Sequence, residues 1–68
     1  MPYVNIRITK EGATPGQKEK VIAGVTKLLA DILGKNPQNT HVVIDEVDTD
    51  NWGSGGQSIS SKRKQKAK

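Results

Sequence analysis

The stretch Val42-Val43-Ile44 is apolar on both faces of any strand it forms, because successive side chains of a strand point to opposite sides of the sheet. A strand of this kind needs cover on each side. The chain has 68 residues and one amphipathic helical segment to supply that cover. A single helix protects a single face, so the other face is expected to meet a second subunit. Size points the same way, since a domain this small buries only about 60% of the surface its unfolded chain exposes. Small folds draw added stability from disulfides, a structural metal or a partner subunit. With no cysteine and with His41 as the one histidine, disulfides are excluded and a closed zinc site lacks its ligands. Self-association remains.

Around that strand the order of elements can be read from local pattern. Residues 3–9 alternate strictly, with Val4, Ile6 and Ile8 on one face and Tyr3, Asn5, Arg7 and Thr9 on the other, as in a half-buried strand. Thr14, Pro15 and Gln17 then form a helix start: an N-cap, a proline at the first helical position and a Thr-x-x-Gln capping box. Val21, Ile22, Val25, Leu28, Leu29, Ile32 and Leu33 recur at spacings of three and four, and Gly34 and Pro37 end the helix. The second strand is expected from about Thr40 to Val47. Strand, helix and strand in so short a chain imply an α/β (α+β) domain built on a β-α-β unit, with parallel strands and a right-handed crossover. Beyond Val47 the chain is rich in turn residues and holds the only tryptophan, Trp52. A short C-terminal strand or hairpin is expected, with Gln57 to Ser60 as the extra strand. Residues 1–61 read as the domain, and residues 62–68 as a disordered basic tail.

The net charge of +4 is concentrated in that tail. Lys62, Arg63, Lys64, Lys66 and Lys68 are five of the eleven basic residues, leaving six against seven acids in residues 1–61. No base-stacking aromatic accompanies the run, so nucleic acid is not an expected partner. The chain shows neither a signal-peptide pattern nor an apolar run of roughly 20 residues, and a soluble cytoplasmic protein without a membrane partner is the expectation.

Familiar catalytic patterns are missing. Gly53-Ser54-Gly55-Gly56 lacks the Lys-Ser/Thr and the helix start of a phosphate loop, and there is no Cys or His cluster. The residue with unusual chemical potential is Pro2. Removal of Met1 would expose a secondary amine, which titrates near 8 in water and is driven toward neutrality by an apolar site or nearby cations. A neutral amine can take a proton from carbon beside a carbonyl and return it elsewhere.

Met-Pro-Tyr-Val-Asn-Ile, the helix opening Thr14 to Lys18, the apolar helix, Val42-Val43-Ile44-Asp45-Glu46-Val47 and Asn51-Trp52-Gly53-Ser54-Gly55-Gly56 occur in an order that resembles the 4-oxalocrotonate tautomerase family from Pro2 to about Ser61. The resemblance implies a tautomerase fold assembled as a trimer of dimers, with sites shared between subunits. The homohexamer is the expected form, and a heterohexamer with a paralogue is a further option. It also implies a cofactor-free and metal-free isomerase of unsaturated 2-oxo acids or enols, of the kind used in aromatic degradation, with Pro2 as general base and Trp52 as a hydrophobic wall. The family's two carboxylate-binding arginines are replaced: the first, after Glu11-Gly12, by Ala13, and the second by His41. His41 is then a candidate hydrogen-bond donor to the substrate, and Arg7, Lys10 or Lys18 are candidate stand-ins for a lost arginine. A dicarboxylate preference is not expected of such a site. Relatives that hydrate or dehalogenate unsaturated acids supply an alternative activity that needs a water-activating acid, and the sequence alone does not put Glu46 or Asp45 in that place. An alternative of another class is a non-catalytic oligomer binding acidic partners through its basic tails.

Overall fold

Strands β1, Tyr3–Thr9, and β2, His41–Val47, lie parallel in the computed structural model, which describes residues 1–66. Their register runs from Tyr3 opposite His41 to Thr9 opposite Val47. Main-chain bonds extend the ladder past both ends: the His41 N–H donates to the Pro2 carbonyl at 3.0 Å, and the Lys10 N–H to the Val47 carbonyl at 2.7 Å. Parallel neighbours require a long crossover, and helix α1, Pro15–Leu33, makes it. Its capping box is complete, with the Gln17 N–H donating to Thr14 Oγ1 at 3.1 Å and the Thr14 N–H donating to Gln17 Oε1 at 2.9 Å. Gly34 ends the helix at φ 65°, a left-handed conformation that costs glycine little, and its N–H donates to the Ala30 carbonyl. A 3₁₀ turn over Pro37–Asn39, capped by the Asn36 side chain, then leads into β2.

Alternation sorts the sheet into two faces. Val4, Ile6 and Ile8 are half-buried with Val42, Ile44 and Glu46 on the α1 side, where the Lys18 ammonium of α1 pairs with Glu46. The other face carries Tyr3, Asn5 and Arg7 opposite His41, Val43 and Asp45, and among the described residues no helix packs over it. Tyr3 is 65% exposed there and Val43 41%. On α1, Leu28, Ile32 and Leu33 are also exposed, and no side chain among the described residues is fully buried. The radius of gyration is 15.8 Å, against about 11 Å for a self-contained globule of this length. The chain is therefore more extended than a self-contained globule, with the apolar stripe of α1 and one face of the sheet left open.

Beyond β2, a 3₁₀ turn at Thr49–Asn51 leads through Trp52 to a hairpin of β3, Gly53–Ser54, and β4, Gln57–Ser58. Gly55 and Gly56 have φ of 62° and 83°, the pair of positive values that a tight hairpin turn of the primed type demands. Here the structure corrects the sequence reading. The extra strand ends at Ser58, and Ile59–Lys66 is a helix, α2, that runs across the expected domain edge at residue 61 into the segment read as a loose tail. Three ties explain it. The Ser58 hydroxyl caps the helix by accepting from the Ser61 N–H at 3.1 Å, the hydroxyls of Thr49 and Ser60 meet at 2.6 Å, and the Ile59 N–H donates to the Trp52 carbonyl at 2.8 Å. Lys and Arg are also good helix formers. Residues 67 and 68 of the expected tail lie outside the described residues. Among the described residues no helix is long and apolar enough to cross a membrane.

Candidate active site

Pro2 and His41 fall at one edge of the sheet and Trp52 at the opposite one. Pro2 is half-buried at the foot of β1, its carbonyl held by the first amide of β2, while Met1 before it is 90% exposed and contributes little packing. His41 is that first residue of β2, exposed and one step along the ladder from Pro2. Pro2 and the His41 imidazole thus share the edge at which the strands begin.

Trp52 is half-buried just past the end of β2, at the far edge. Seven strand residues at about 3.3 Å each separate the edges by roughly 20 Å. Within one protomer the structure joins Pro2 to His41 and leaves Trp52 apart from both. Arg7 lies between, on the uncovered face. Its Nε donates to Asn5 Oδ1 at 3.3 Å and lies 3.6 Å from Asp45 Oδ2, which also accepts from Asn5 Nδ2 at 2.8 Å. Lys18 is half-buried and bound to Glu46. Asp45 and Glu46, which the sequence does not assign to water activation, are each engaged by a cation.

The far edge also holds an open cleft of 440 Å³ lined by Ile8, Thr9, Glu11, Gly12, Ala13 and Gln17. The loop between β1 and α1 turns through Gly12 at φ 87° to form its wall. Ala13, half-buried, stands where the resemblance places the first arginine. Glu11 carries the one formal charge in the lining, and both its oxygens are engaged. Arg63 of α2 donates Nη1 to Oε1 at 2.5 Å, and the Thr9 hydroxyl donates to Oε2. The Arg63 hydrogen bond, joined by that from Thr9, holds the Glu11 carboxyl below the usual carboxylate range; the same contact pushes Arg63 further up. Sequence reading did not find this pair. Its members are 52 residues apart, and Arg63 sits in a run of basic residues that has no local mark distinguishing one from another.

Pro2 and His41 therefore share one edge, and the cleft with the Glu11–Arg63 pair lies at the other. Comparison with known proteins gives this arrangement a family. The model of the tautomerase enzyme family matches residues 2–62. Probable tautomerase K2 of Dickeya dadantii is 65% identical over 65 residues, covering 96% of this chain and 97% of its own. The 2-hydroxymuconate tautomerase of Pseudomonas putida is 40% identical over 56 residues, 82% of this chain and 87% of its own. Among solved structures, DmpI of Helicobacter pylori superposes with a TM-score of 0.86 at 42% identity, covering 93% of this chain and 97% of that one. On a match that begins at Pro2 and runs through the hairpin into α2, this chain belongs to the tautomerase family of isomerases.

Proposed function

We propose that the protein is a cytoplasmic, cofactor-independent tautomerase of unsaturated 2-oxo acids or their enols, and that its general base is the Pro2 amine freed by removal of Met1. The observation that carries this reading is the position of Pro2. It is anchored to β2 through its carbonyl, half-buried, beside His41 and behind an exposed methionine whose loss sacrifices little packing. Its neutral nitrogen takes the proton of an enol hydroxyl, or an acidic C–H proton, and leaves a dienolate. The protonated amine then returns that proton to a more distant carbon, so the substrate is isomerised with no net change in atoms or electrons. The His41 side chain donates to the developing oxyanion. Trp52 excludes water, which keeps the amine weakly basic.

Because Pro2 and Trp52 sit at opposite edges, a complete site in this reading draws on more than one copy. Two β-α-β units placed side by side and antiparallel bring the first edge of one to the second edge of the other. Three such pairs give the homohexamer that the resemblance implies, and they cover the exposed apolar stripe of α1 and the open sheet face. Without the loop arginine, the site suits a substrate with one carboxylate better than a dicarboxylate.

The test pairs intact mass with ultraviolet assays of ketonisation on 2-hydroxymuconate and phenylenolpyruvate. The expected result is a chain lacking Met1, a higher kcat/KM on the monocarboxylate, and a loss of about 10²-fold or more in kcat/KM for Pro2→Ala. Full activity in chains that retain Met1, or an unaffected Pro2→Ala enzyme, would sink the proposal.

A further inference from the structure

We infer that Arg63, delivered by α2 to the rim of the cleft, holds the substrate carboxylate in place of the missing loop arginine; this rests on the Pro2 reading and names the binding group for that site. The cleft as lined has a problem with an anionic ligand, because its one formally charged lining residue is the carboxylate Glu11. Arg63 resolves it. Its Nη1 lies 2.5 Å from Glu11 Oε1, so the positive charge sits directly against that carboxylate. A guanidinium has five N–H donors in a planar fork, and Glu11 occupies one of Arg63's in this structure. The others are open to a second carboxylate, which the fork can grip with two parallel bonds.

The surrounding contacts explain why this arginine can be a positioned group rather than a solvated one. The Thr9 hydroxyl fixes one oxygen of Glu11, Arg63 takes the other, and the chain Thr9–Glu11–Arg63 orients the fork from the end of β1. Ala13, with its short side chain, leaves its part of the cleft wall low. Two of the three alternatives raised by the sequence are engaged elsewhere: Lys18 with Glu46 beneath α1, and Arg7 with Asp45 on the opposite sheet face. A single guanidinium per cleft matches a ligand with a single carboxylate. It acts on binding, so its removal is felt in KM and leaves proton transfer by Pro2 in place.

The experiment measures turnover of phenylenolpyruvate and of its methyl ester, which lacks the charge. It also measures equilibrium binding of phenylpyruvate through the emission of Trp52, the only tryptophan. Arg63→Gln is expected to raise KM for the acid about tenfold or more, with kcat within about threefold and KM for the ester within about twofold, the usual scale of one charge-assisted contact. Arg63→Lys, which keeps the charge and loses the fork, falls between. Glu11→Gln retains an oxygen acceptor for Arg63 and removes a repelling charge, so it binds phenylpyruvate at least as tightly as the parent. The binding loss in Arg63→Gln persists in a Pro2→Ala background, which separates the two readings: retained turnover in Pro2→Ala overturns the base, while binding alone decides Arg63. Phenylpyruvate affinity within twofold of the parent in Arg63→Gln would overturn the assignment. An equal loss for the ester, or for Glu11→Gln, would do so as well, by showing that the pair merely braces α2.

Discussion

Ile32 is 70% exposed in the protomer and lies with Val21 and Leu28 along one stripe of α1, at offsets of seven and four residues. In a free-standing protomer, replacing so exposed a side chain changes stability by no more than about 0.5 kcal/mol. If a second copy covers the stripe, the cost is larger and falls on assembly. Ile32→Ala removes about three carbons worth about 0.8 kcal/mol each when fully buried, and scaling by the exposed fraction leaves about 1.7 kcal/mol per subunit. At a two-fold contact the change counts twice, so dissociation shifts by about 3.4 kcal/mol, or roughly 300-fold in concentration. Sedimentation equilibrium or light scattering over a dilution series measures this directly, and the thermal midpoint becomes more dependent on concentration. The reasoning fails if the parent protein sediments as a 7.4 kDa monomer at micromolar concentration. It fails equally if Ile32→Ala dissociates at the same concentration as the parent.

Thr14→Ala opens the capping box at the start of α1 and is expected to cost about 1 kcal/mol in urea unfolding; a loss below about 0.3 kcal/mol would mean that subunit packing, not the cap, holds the helix start. The Glu11–Arg63 pair has a defined acid limit. Because the Glu11 carboxyl is held below its ordinary value in the folded state, the pair's stabilising effect is complete at neutral pH and is lost as pH falls from about 4.5 through the folded value. Amide hydrogen exchange in α2, corrected for its intrinsic pH dependence, is expected to quicken on acidification below pH 4.5, and Glu11→Gln removes that dependence; an α2 equally protected on both sides of that limit would show that the pair does not hold it.

How much was legible in the sequence depended on how local each signal was. The alternation over residues 3–9, the Thr14–Gln17 box and the stop at Gly34 depend on neighbours within one strand or one helical turn, and the structure places β1, α1 and β2 where they indicate. The helix α2 was missed for the converse reason. Its sequence, Ile-Ser-Ser-Lys-Arg-Lys-Gln-Lys, has no apolar stripe, and its start depends on Thr49 and Trp52, which reach it only through the fold. Arg7 illustrates an intermediate case: alternation assigns it to the uncovered face, but only the register, which sets it opposite Asp45, shows that its charge is already engaged.

The divided site proposed for this chain follows from the same geometry as the fold. Parallel strands joined by one helix put the start of both, and hence Pro2 and His41, at one edge, and every connection that follows a strand, including the Glu11–Ala13 loop and Trp52, at the other. No conformational change within a protomer brings the edges together without breaking the ladder. A chemistry needing both groups must therefore borrow one edge from another copy. The two-faced strand Val42-Val43-Ile44 makes the same demand on energetic grounds, so in the proposed assembly the surface that stabilises it and the surface that completes the site are constrained together. A substitution such as Ile32→Ala, though it touches neither edge, is for that reason expected to lower turnover in step with dissociation.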